Sequence, residues 1–140
     1  MVVLTATAFV LNGCKGKGAP KAKEPVQEAV EEVKAAYPSL NPDEFEQAIA
    51  EEREVLVLDV RSKSEYEAGH IENAVNMNAN LGVFRKESAQ LPKGKRIAIY
   101  CRVGIRSKSV AQILMEEGFD VVHLENGFEA WHKAGKNIVK

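Results

Sequence analysis

The sequence of 140 residues has few of the residues from which metal centres and disulfide frameworks are built. It contains two cysteines, Cys14 and Cys101, and three scattered histidines, His70, His123 and His132. Neither cysteine belongs to a CxxC pair, so we predict no metal site. A disulfide between the two cysteines would need an oxidising compartment, and it would consume Cys101, the one candidate nucleophile. We therefore assign the two cysteines to separate roles.

A strong net charge, an internal repeat and a long hydrophobic run are also missing. The formal net charge of -1 gives no reason to expect nucleic acid or an acidic surface as a partner. The longest apolar stretch, residues 2–11, is shorter than the about 20 residues that a transmembrane helix needs. The length, with 45% hydrophobic residues, fits one domain with a single ordinary core.

The amino-terminal segment, residues 1–14, has the pattern of an export signal. Its apolar run leads directly into Leu11-Asn12-Gly13-Cys14. This quartet resembles a bacterial lipobox, in which the cysteine is lipidated and becomes the mature amino terminus. The resemblance implies a membrane anchor on Cys14 and a place in the bacterial cell envelope, facing the periplasm or the cell exterior. The alternative is a hydrophobic amino terminus on a cytoplasmic protein.

Residues 15–38 are rich in Lys, Glu, Ala, Pro and Gly and have few large apolar side chains. That composition is typical of a flexible tether. Three valines at helical spacing, Val26, Val30 and Val33, indicate at most one weak helical stripe. We expect this tether to connect the segment 1–14 to a folded domain over residues 39–140.

One stretch combines a cysteine, two arginines and a glycine: Cys101-Arg102-Val103-Gly104-Ile105-Arg106-Ser107. It follows the apolar residues 96–100, which have the pattern of a buried strand, and it precedes a helical pattern that includes Val110 and Leu114. We expect Ser107 to cap that helix and Gly118 to end it. The stretch is therefore predicted to be an active-site loop at the carboxyl end of a strand.

Cys101 is the predicted nucleophile of this loop. Loop amides, the positive end of the helix dipole, and Arg102 or Arg106 would all favour a thiolate over a thiol. Gly104 allows a tight turn because glycine adopts positive φ without a Cβ clash. The alternative is a buried structural cysteine, which two arginines and a glycine in the next five positions make the weaker interpretation.

Strand and helix patterns alternate through the rest of the domain. Asn41 and Pro42 begin a helix, residues 54–60 and 74–77 form strands, and residues 80–90 form a helix with Leu81, Phe84 and Leu91 facing inward. A further strand is predicted over residues 120–124, followed by a turn at Asn126 and a helix that buries Trp131. Alternation of this kind predicts an α/β fold with a parallel sheet.

The loop resembles the active-site loop C-R-x-G-x-R-S of rhodanese-like sulfurtransferases. Three further stretches have that family's spacing, namely Asp59-Val60-Arg61, Glu65-Tyr66, and Gly69-His70-Ile71 with Ala74. The resemblance implies a doubly wound, mainly parallel sheet with helices on both faces. It also implies that Cys101 takes a sulfane sulfur from thiosulfate or a persulfide, becomes a persulfide itself, and passes the sulfur to a thiol or to cyanide. No cofactor is expected, since the persulfide carries the sulfur.

The resemblance implies roles for the other residues of the site. Arg106 and the loop amides would stabilise charge on sulfur, and Ser107 would orient the loop. Val103 and Ile105 would contact the substrates through apolar groups, and Arg102 would steer an anionic donor or remain a solvated charge. Arg61 would either steer the donor or pair with Asp59 or Glu65. We expect His70 to pack and donate or accept hydrogen bonds rather than to act as a base.

Other functions of the same fold remain open. A sulfur carrier or protein-binding module would form the persulfide but turn over poorly with small donors. Phosphatase or arsenate reductase chemistry is a third possibility, but the relatives that perform it have five residues between cysteine and arginine, whereas four separate Cys101 from Arg106. The shorter loop fits a persulfide sulfur better than a phosphoryl group. We expect a monomer.

Overall fold

The computed structural model describes residues 37–51 and 54–140. The predicted signal segment 1–14, with Cys14, and all but two residues of the predicted tether lie outside the described residues. Those two residues contact the domain: Tyr37 packs against its core, and the carbonyl of Pro38 accepts a hydrogen bond from the backbone N–H of His123 at 2.9 Å. Of the helices in the described ranges, none has the length and apolar character needed to cross a membrane.

A sheet of five strands forms the centre of the domain. Along the sheet the order is β1-β5-β4-β2-β3, and the four pairings between these strands are all parallel. The predicted parallel α/β sheet is therefore confirmed. The strands are β1 (Ser39–Leu40), β2 (Val55–Asp59), β3 (Val75–Asn76), β4 (Arg96–Tyr100) and β5 (Asp120–Leu124).

Helices follow or precede the strands in alternation. They are α1 (Pro42–Glu51), α2 (Lys63–Ala68), α3 (Leu81–Ser88), α4 (Ile105–Glu116) and α5 (Gly127–Lys133). Local side chains cap the first turns of α1 and α2. The side chain of Asn41 accepts from the backbone of Glu44, whose carboxylate accepts in return from the backbone of Asn41, both at 2.9 Å. Ser62 and Glu65 form the same reciprocal pair at the start of α2.

The sheet is covered on both faces, each with its own hydrophobic cluster. One cluster includes Phe84 of α3 and Leu114 of α4, and the other includes Phe45 of α1 and Trp131 of α5, which is 2% exposed. The predicted helices on both faces and the predicted burial of Trp131 are confirmed. Central strands buried on both faces explain why their sequences are almost continuously apolar.

The prediction that Leu81 faces inward is wrong. Leu81 is 49% exposed, whereas Phe84 and Leu91 are buried as expected. The reason lies in the start of α3. Asn80 caps that helix by accepting from the backbone N–H of Gly82, so Leu81 is its first residue and stands at the end of the helix, where its side chain is only partly covered. Phe84, one turn later, occupies the position that faces the core.

Candidate active site

The side chains of the site converge at the carboxyl ends of β2 and β4, which are neighbours in register. Asp59 at the end of β2 lies opposite Tyr100 at the end of β4, and Arg61 and Cys101 follow directly. Parallel strands open their carboxyl ends toward the same edge of the sheet, where ligands of open α/β folds bind. The Asp59–Arg61 motif and the loop that begins at Cys101 are about 40 positions apart in the sequence, and the sheet brings them to the same edge.

Cys101 is buried, with no exposed side-chain surface, and it forms no disulfide with any of the described residues. Two hydrogen-bond donors face its Sγ atom: the backbone N–H of Gly104 at 3.1 Å and the hydroxyl of Ser107 at 3.3 Å. Helix α4 begins at the next residue after Gly104, so the positive end of its dipole also points toward the sulfur. Donors and dipole together favour a negatively charged sulfur at this position.

Ser107 does not cap α4, contrary to our prediction. The residue at the cap position is Gly104, whose φ of 94° is left-handed and which makes no side-chain cap bond. Helix α4 therefore begins at Ile105, and Ser107 lies inside its first turn. There its hydroxyl approaches three groups: Cys101 Sγ, the carbonyl of Gly104 at 3.2 Å, and Nε2 of His123 at 2.8 Å.

The first turn of α5 holds the other side of the loop. The backbone N–H groups of Phe128 and Glu129 donate to the carbonyls of Cys101 and Arg102, at 2.8 and 3.0 Å. The close approach requires Gly127, which has φ of 61°, because a Cβ there would overlap both carbonyl oxygens. The preceding residue, Asn126, lies in the predicted turn and adopts the left-handed conformation, with φ of 57°, which asparagine tolerates better than most residues.

Arg106 is held by Glu65. Its two terminal nitrogens donate to the two carboxylate oxygens, each at 2.9 Å. This fork lowers the pKa of Glu65 to about 2, with further help from hydrogen bonds donated by Ser62. The same hydrogen bonding raises the pKa of Arg106, to which the charge of Cys101 contributes a smaller part. Glu65 therefore positions the arginine of the loop, a partnership that our sequence analysis did not assign.

Because the folded-state pKa of Glu65 is depressed, its stabilising effect is present above pH 4.5 and is lost as the pH falls toward 2. We expect Glu65→Gln to lower the free energy of unfolding at pH 7 by about 1 kcal/mol, since the pair is partly exposed. We also expect the difference from the unsubstituted protein to shrink as the pH approaches 2. Urea unfolding at pH 7, 4 and 3 measures both effects.

Glu67→Gln is the matched control, because Glu67 lies on the same helix in an exposed pair with Lys63. It should change stability by less than about 0.5 kcal/mol at each pH. An effect of Glu65→Gln that is independent of pH would contradict the assigned role of the Glu65–Arg106 pair.

Arg61 pairs with Asp59, one of the two partners predicted for it. Its Nη2 atom lies 2.6 Å from the carboxylate, and Nε donates to both carboxylate oxygens at 3.0 Å. The hydroxyl of Tyr100 donates to the same carboxylate at 2.7 Å, and the carbonyl of Gly69 accepts from Arg61 at 2.7 Å. We refer to Asp59, Arg61 and Tyr100 as the buried triad.

Electrostatic effects within the buried triad are consistent with this geometry. Burial alone lowers the pKa of Arg61, but the hydrogen bond and charge of Asp59 raise it above its ordinary value. The pKa of Tyr100 is raised first by burial and then by the charge of Asp59. Arg61 is 3% exposed, and its guanidinium lies over the ring of Phe128, 4.0 Å from the centroid. Contact between Arg61 and a sulfur donor stays a prediction.

The remaining residues of the loop face outward. Val103 and Ile105 are 42% and 73% exposed, and Arg102 pairs with Glu129 at 2.7 Å on the surface. Beside the loop lies a cavity of about 550 Å³, to which Arg102 and the buried Arg61 both contribute. Its lining is Arg61, Glu65, Ala68, Gly69, Arg102, Phe128, Glu129, His132, Ile138 and Lys140.

Two histidines have different positions relative to the site. His70 is stacked on Tyr66 and its Nδ1 contacts the Tyr66 carbonyl at 2.9 Å, so the predicted packing role is confirmed. His123 was missed: it is fully buried in β5, against Ser107. Burial, and then the charge of Lys108, lower its pKa to about 4. His123 is the one polar residue inside residues 121–124, which are otherwise apolar, and that interruption was the available signal.

Similar proteins were found among both sequences and structures. The chain is 42% identical over 105 residues to a tRNA uridine(34) hydroxylase of Aster yellows witches'-broom phytoplasma, a match covering 71% of this chain and 33% of that protein. It is 38% identical over 84 residues to the thiosulfate sulfurtransferase GlpE of Coxiella burnetii, covering 59% and 77%. The chain thus spans about a third of the first relative's length.

The fold comparison agrees with the sequence comparison. The crystal structure of a rhodanese-related protein from Thermoplasma volcanium superposes with a TM-score of 0.66 and 29% identity, covering 74% of this chain and 98% of that one. The family model of the rhodanese-like domain matches residues 41–134, which include the buried triad, the loop and the turn at Asn126. The chain therefore belongs to the family of rhodanese-like domains.

Proposed function

We propose that this protein is a sulfurtransferase that moves a sulfane sulfur from thiosulfate or a persulfide to a thiol or to cyanide, through a persulfide on Cys101. The observation that carries the proposal is the placement of Cys101 Sγ against one backbone N–H and one hydroxyl at the start of α4. The 38% identity to a thiosulfate sulfurtransferase supports the same chemistry.

In the first step the thiolate of Cys101 attacks the outer sulfur of the donor. With thiosulfate, a new sulfur–sulfur bond forms to Cys101, the bond between the two donor sulfurs breaks, and sulfite leaves with the bonding electron pair. The total charge is the same on both sides, since the thiolate becomes a persulfide anion and the thiosulfate dianion becomes sulfite dianion. The N–H of Gly104 and the dipole of α4 favour the negative charge on sulfur throughout.

In the second step a nucleophilic acceptor attacks the outer sulfur of the persulfide and restores the thiolate. Cyanide would leave as thiocyanate, and a thiolate acceptor would leave as a new persulfide. Donor and acceptor react in turn at one cysteine, so the kinetics should be ping-pong. The exposed Val103 and Ile105 border the loop and would meet an acceptor first.

Loop length distinguishes this proposal from phosphoryl transfer. Four residues lie between Cys101 and Arg106, and Arg106 already donates both terminal nitrogens to Glu65. A phosphoryl group would require that fork of donors for its own oxygens. We therefore expect no measurable hydrolysis of an aryl phosphate.

Mass spectrometry of the intact protein, combined with steady-state kinetics, tests the proposal. After thiosulfate, the protein should gain the mass of one sulfur on Cys101, and cyanide should then remove it with repeated turnover. Sulfur uptake with almost no turnover would instead favour a sulfur carrier that requires a protein partner. Absence of uptake from both thiosulfate and a small organic persulfide would contradict both functions.

The same measurement on protein from its native host reports whether Cys14 carries the diacylglyceryl group that we propose as a membrane anchor.

A further inference from the structure

Behind the active-site loop, three polar side chains lie in a line that ends at the sulfur of Cys101. Ser39 Oγ is 3.1 Å from Nδ1 of His123, Nε2 of His123 is 2.8 Å from Ser107 Oγ, and Ser107 Oγ is 3.3 Å from Cys101 Sγ. His123 and Ser107 are fully buried. Buried polar groups in such a chain must satisfy one another, because water does not reach them.

The hydroxyl of Ser107 is the critical link because it has one hydrogen and three neighbours. That hydrogen can point to Cys101 Sγ, to the carbonyl of Gly104, or to His123 Nε2. If Nε2 carries no hydrogen, it accepts from Ser107, and the sulfur loses one of its two donors. If Nε2 carries the ring hydrogen, it donates to Ser107 Oγ, and the hydroxyl hydrogen is free to point at the sulfur. Ser39 can then donate to Nδ1, which completes the chain.

We propose that His123 is a positioning residue that donates from Nε2 to Ser107 and thereby aims the Ser107 hydroxyl at the sulfur of Cys101. A thiolate at Cys101 can only accept, and with a thiolate the alternation of donors and acceptors from Ser39 to the sulfur is continuous only with this tautomer. A negative charge on the sulfur strengthens each hydrogen bond from Ser107 back to Ser39. These hydrogen bonds and the thiolate therefore stabilise each other. The inference deepens the proposed function, on which it rests for its relevance to sulfur transfer.

The charged and titratable groups around the chain are consistent with a neutral His123. Lys108 of α4 faces the imidazole and, after burial, is the second cause of its lowered pKa, about 4. The ring of Tyr37 contacts it edge-on, with centroids 6.0 Å apart. On the sulfur side the facing cation is Arg106, which is paired with Glu65. Above pH 5 the imidazole thus has a single ring hydrogen, and the line of hydrogen bonds from Ser39 to the sulfur places it on Nε2.

The test is the pH titration of the Cys101 thiolate, followed by its ultraviolet absorbance. For each variant, the trace of the same variant carrying Cys101→Ser is subtracted, which removes the signal of Cys14 and of the tyrosines. His123→Phe keeps a planar ring and removes both nitrogens. We expect its titration midpoint to move to higher pH by about one unit, so that the thiolate fraction at neutral pH falls up to about tenfold. His123→Gln places an amide donor near the position of Nε2 and should restore most of the shift.

Two comparisons separate positioning from a general loss of structure. Ser107→Ala should shift the midpoint at least as far as His123→Phe, and the double variant should shift it no further than Ser107→Ala alone. His70→Phe is the matched control and should leave the midpoint unchanged, because His70 contacts Tyr66 rather than the loop. Should His123→Phe fail to fold, Ser39→Ala, a change near the surface, should give a smaller shift in the same direction.

An unchanged midpoint in folded His123→Phe, or additive shifts in the double variant, would overturn the inference. The titration needs no sulfur donor, so its result is independent of whether thiosulfate or any other donor loads Cys101. Failure of sulfur loading in the unsubstituted protein, with the predicted midpoint shifts present, would contradict the proposed function and leave the role of His123 established.

Discussion

Cys101→Ser is expected to reduce thiosulfate:cyanide sulfurtransfer at least about 1,000-fold, to the background rate. A serine hydroxyl is not ionised at neutral pH, and its oxygen cannot hold a sulfane sulfur as a persulfide does. The donors around the position, the N–H of Gly104 and the hydroxyl of Ser107, remain in place for an oxygen of similar size. The fold should therefore survive while the reaction is lost.

The measurement is the initial rate of thiocyanate formation, with circular dichroism and thermal unfolding of the same preparations. Cys14→Ser is the matched control, since it removes the other cysteine of the chain and should keep the full rate. Turnover that survives Cys101→Ser would exclude Cys101 as the carrier of sulfur. Turnover that disappears in Cys14→Ser would contradict the expectation that Cys101 suffices.

Asp59→Ala is expected to cost about 3–5 kcal/mol of unfolding free energy, the largest effect on stability that we predict. The substitution removes the one carboxylate of the buried triad. It leaves the guanidinium of Arg61, 3% exposed, without its counter-charge, and it leaves the hydroxyl of Tyr100 without its acceptor. A buried charge without a partner is costly because it cannot regain the solvation it has in the unfolded chain.

Urea unfolding monitored by circular dichroism measures this loss. Asp59→Asn keeps the shape and one carbonyl acceptor but not the charge, so its effect should be smaller than that of Asp59→Ala. Glu116→Ala serves as the control for a generic ion pair, because Glu116 and Arg85 are both about half exposed or more. That control should stay within about 0.5 kcal/mol of the unsubstituted protein. A loss below about 1 kcal/mol for Asp59→Ala would show that the buried triad does not have the role we assign to it.

Local sequence signals sufficed for most of the architecture. The apolar run of β4, the helix start at Asn41 and the turn at Asn126 are each encoded within a few residues, and each was predicted. Strand β1 was not predicted, because its residues Ser39 and Leu40 are not part of an apolar or alternating run. Its place depends on pairing with β5, whose register partners lie 84 residues away in the sequence.

In the site, too, features encoded by neighbouring residues were predicted and contacts between distant residues were not. The loop and its nucleophile were recognisable because the chemistry-bearing residues lie within seven positions. The partners of those residues were harder to predict from the sequence. Glu65 contacts Arg106 across 41 residues, and His123 contacts Ser107 across 16 residues. Ser107 was assigned to the helix cap because serine favours that position, but left-handed Gly104 had already taken it. Tertiary contact, rather than local preference, decided the role of its hydroxyl.

The bonds from α5 to the loop have a consequence for the proposed sulfur transfer. The carbonyls of Cys101 and Arg102 accept hydrogen bonds from the N–H groups of Phe128 and Glu129. Both bonds join backbone groups of the fold itself, so we expect that loading and unloading a sulfur atom requires neither carbonyl to change partner. Folding of the protein already places these backbone groups of the loop, so the binding of an anion does not have to rearrange them. We therefore expect the capacity of Cys101 to take up sulfur and the hydrogen bonds between α5 and the loop to be lost together on heating.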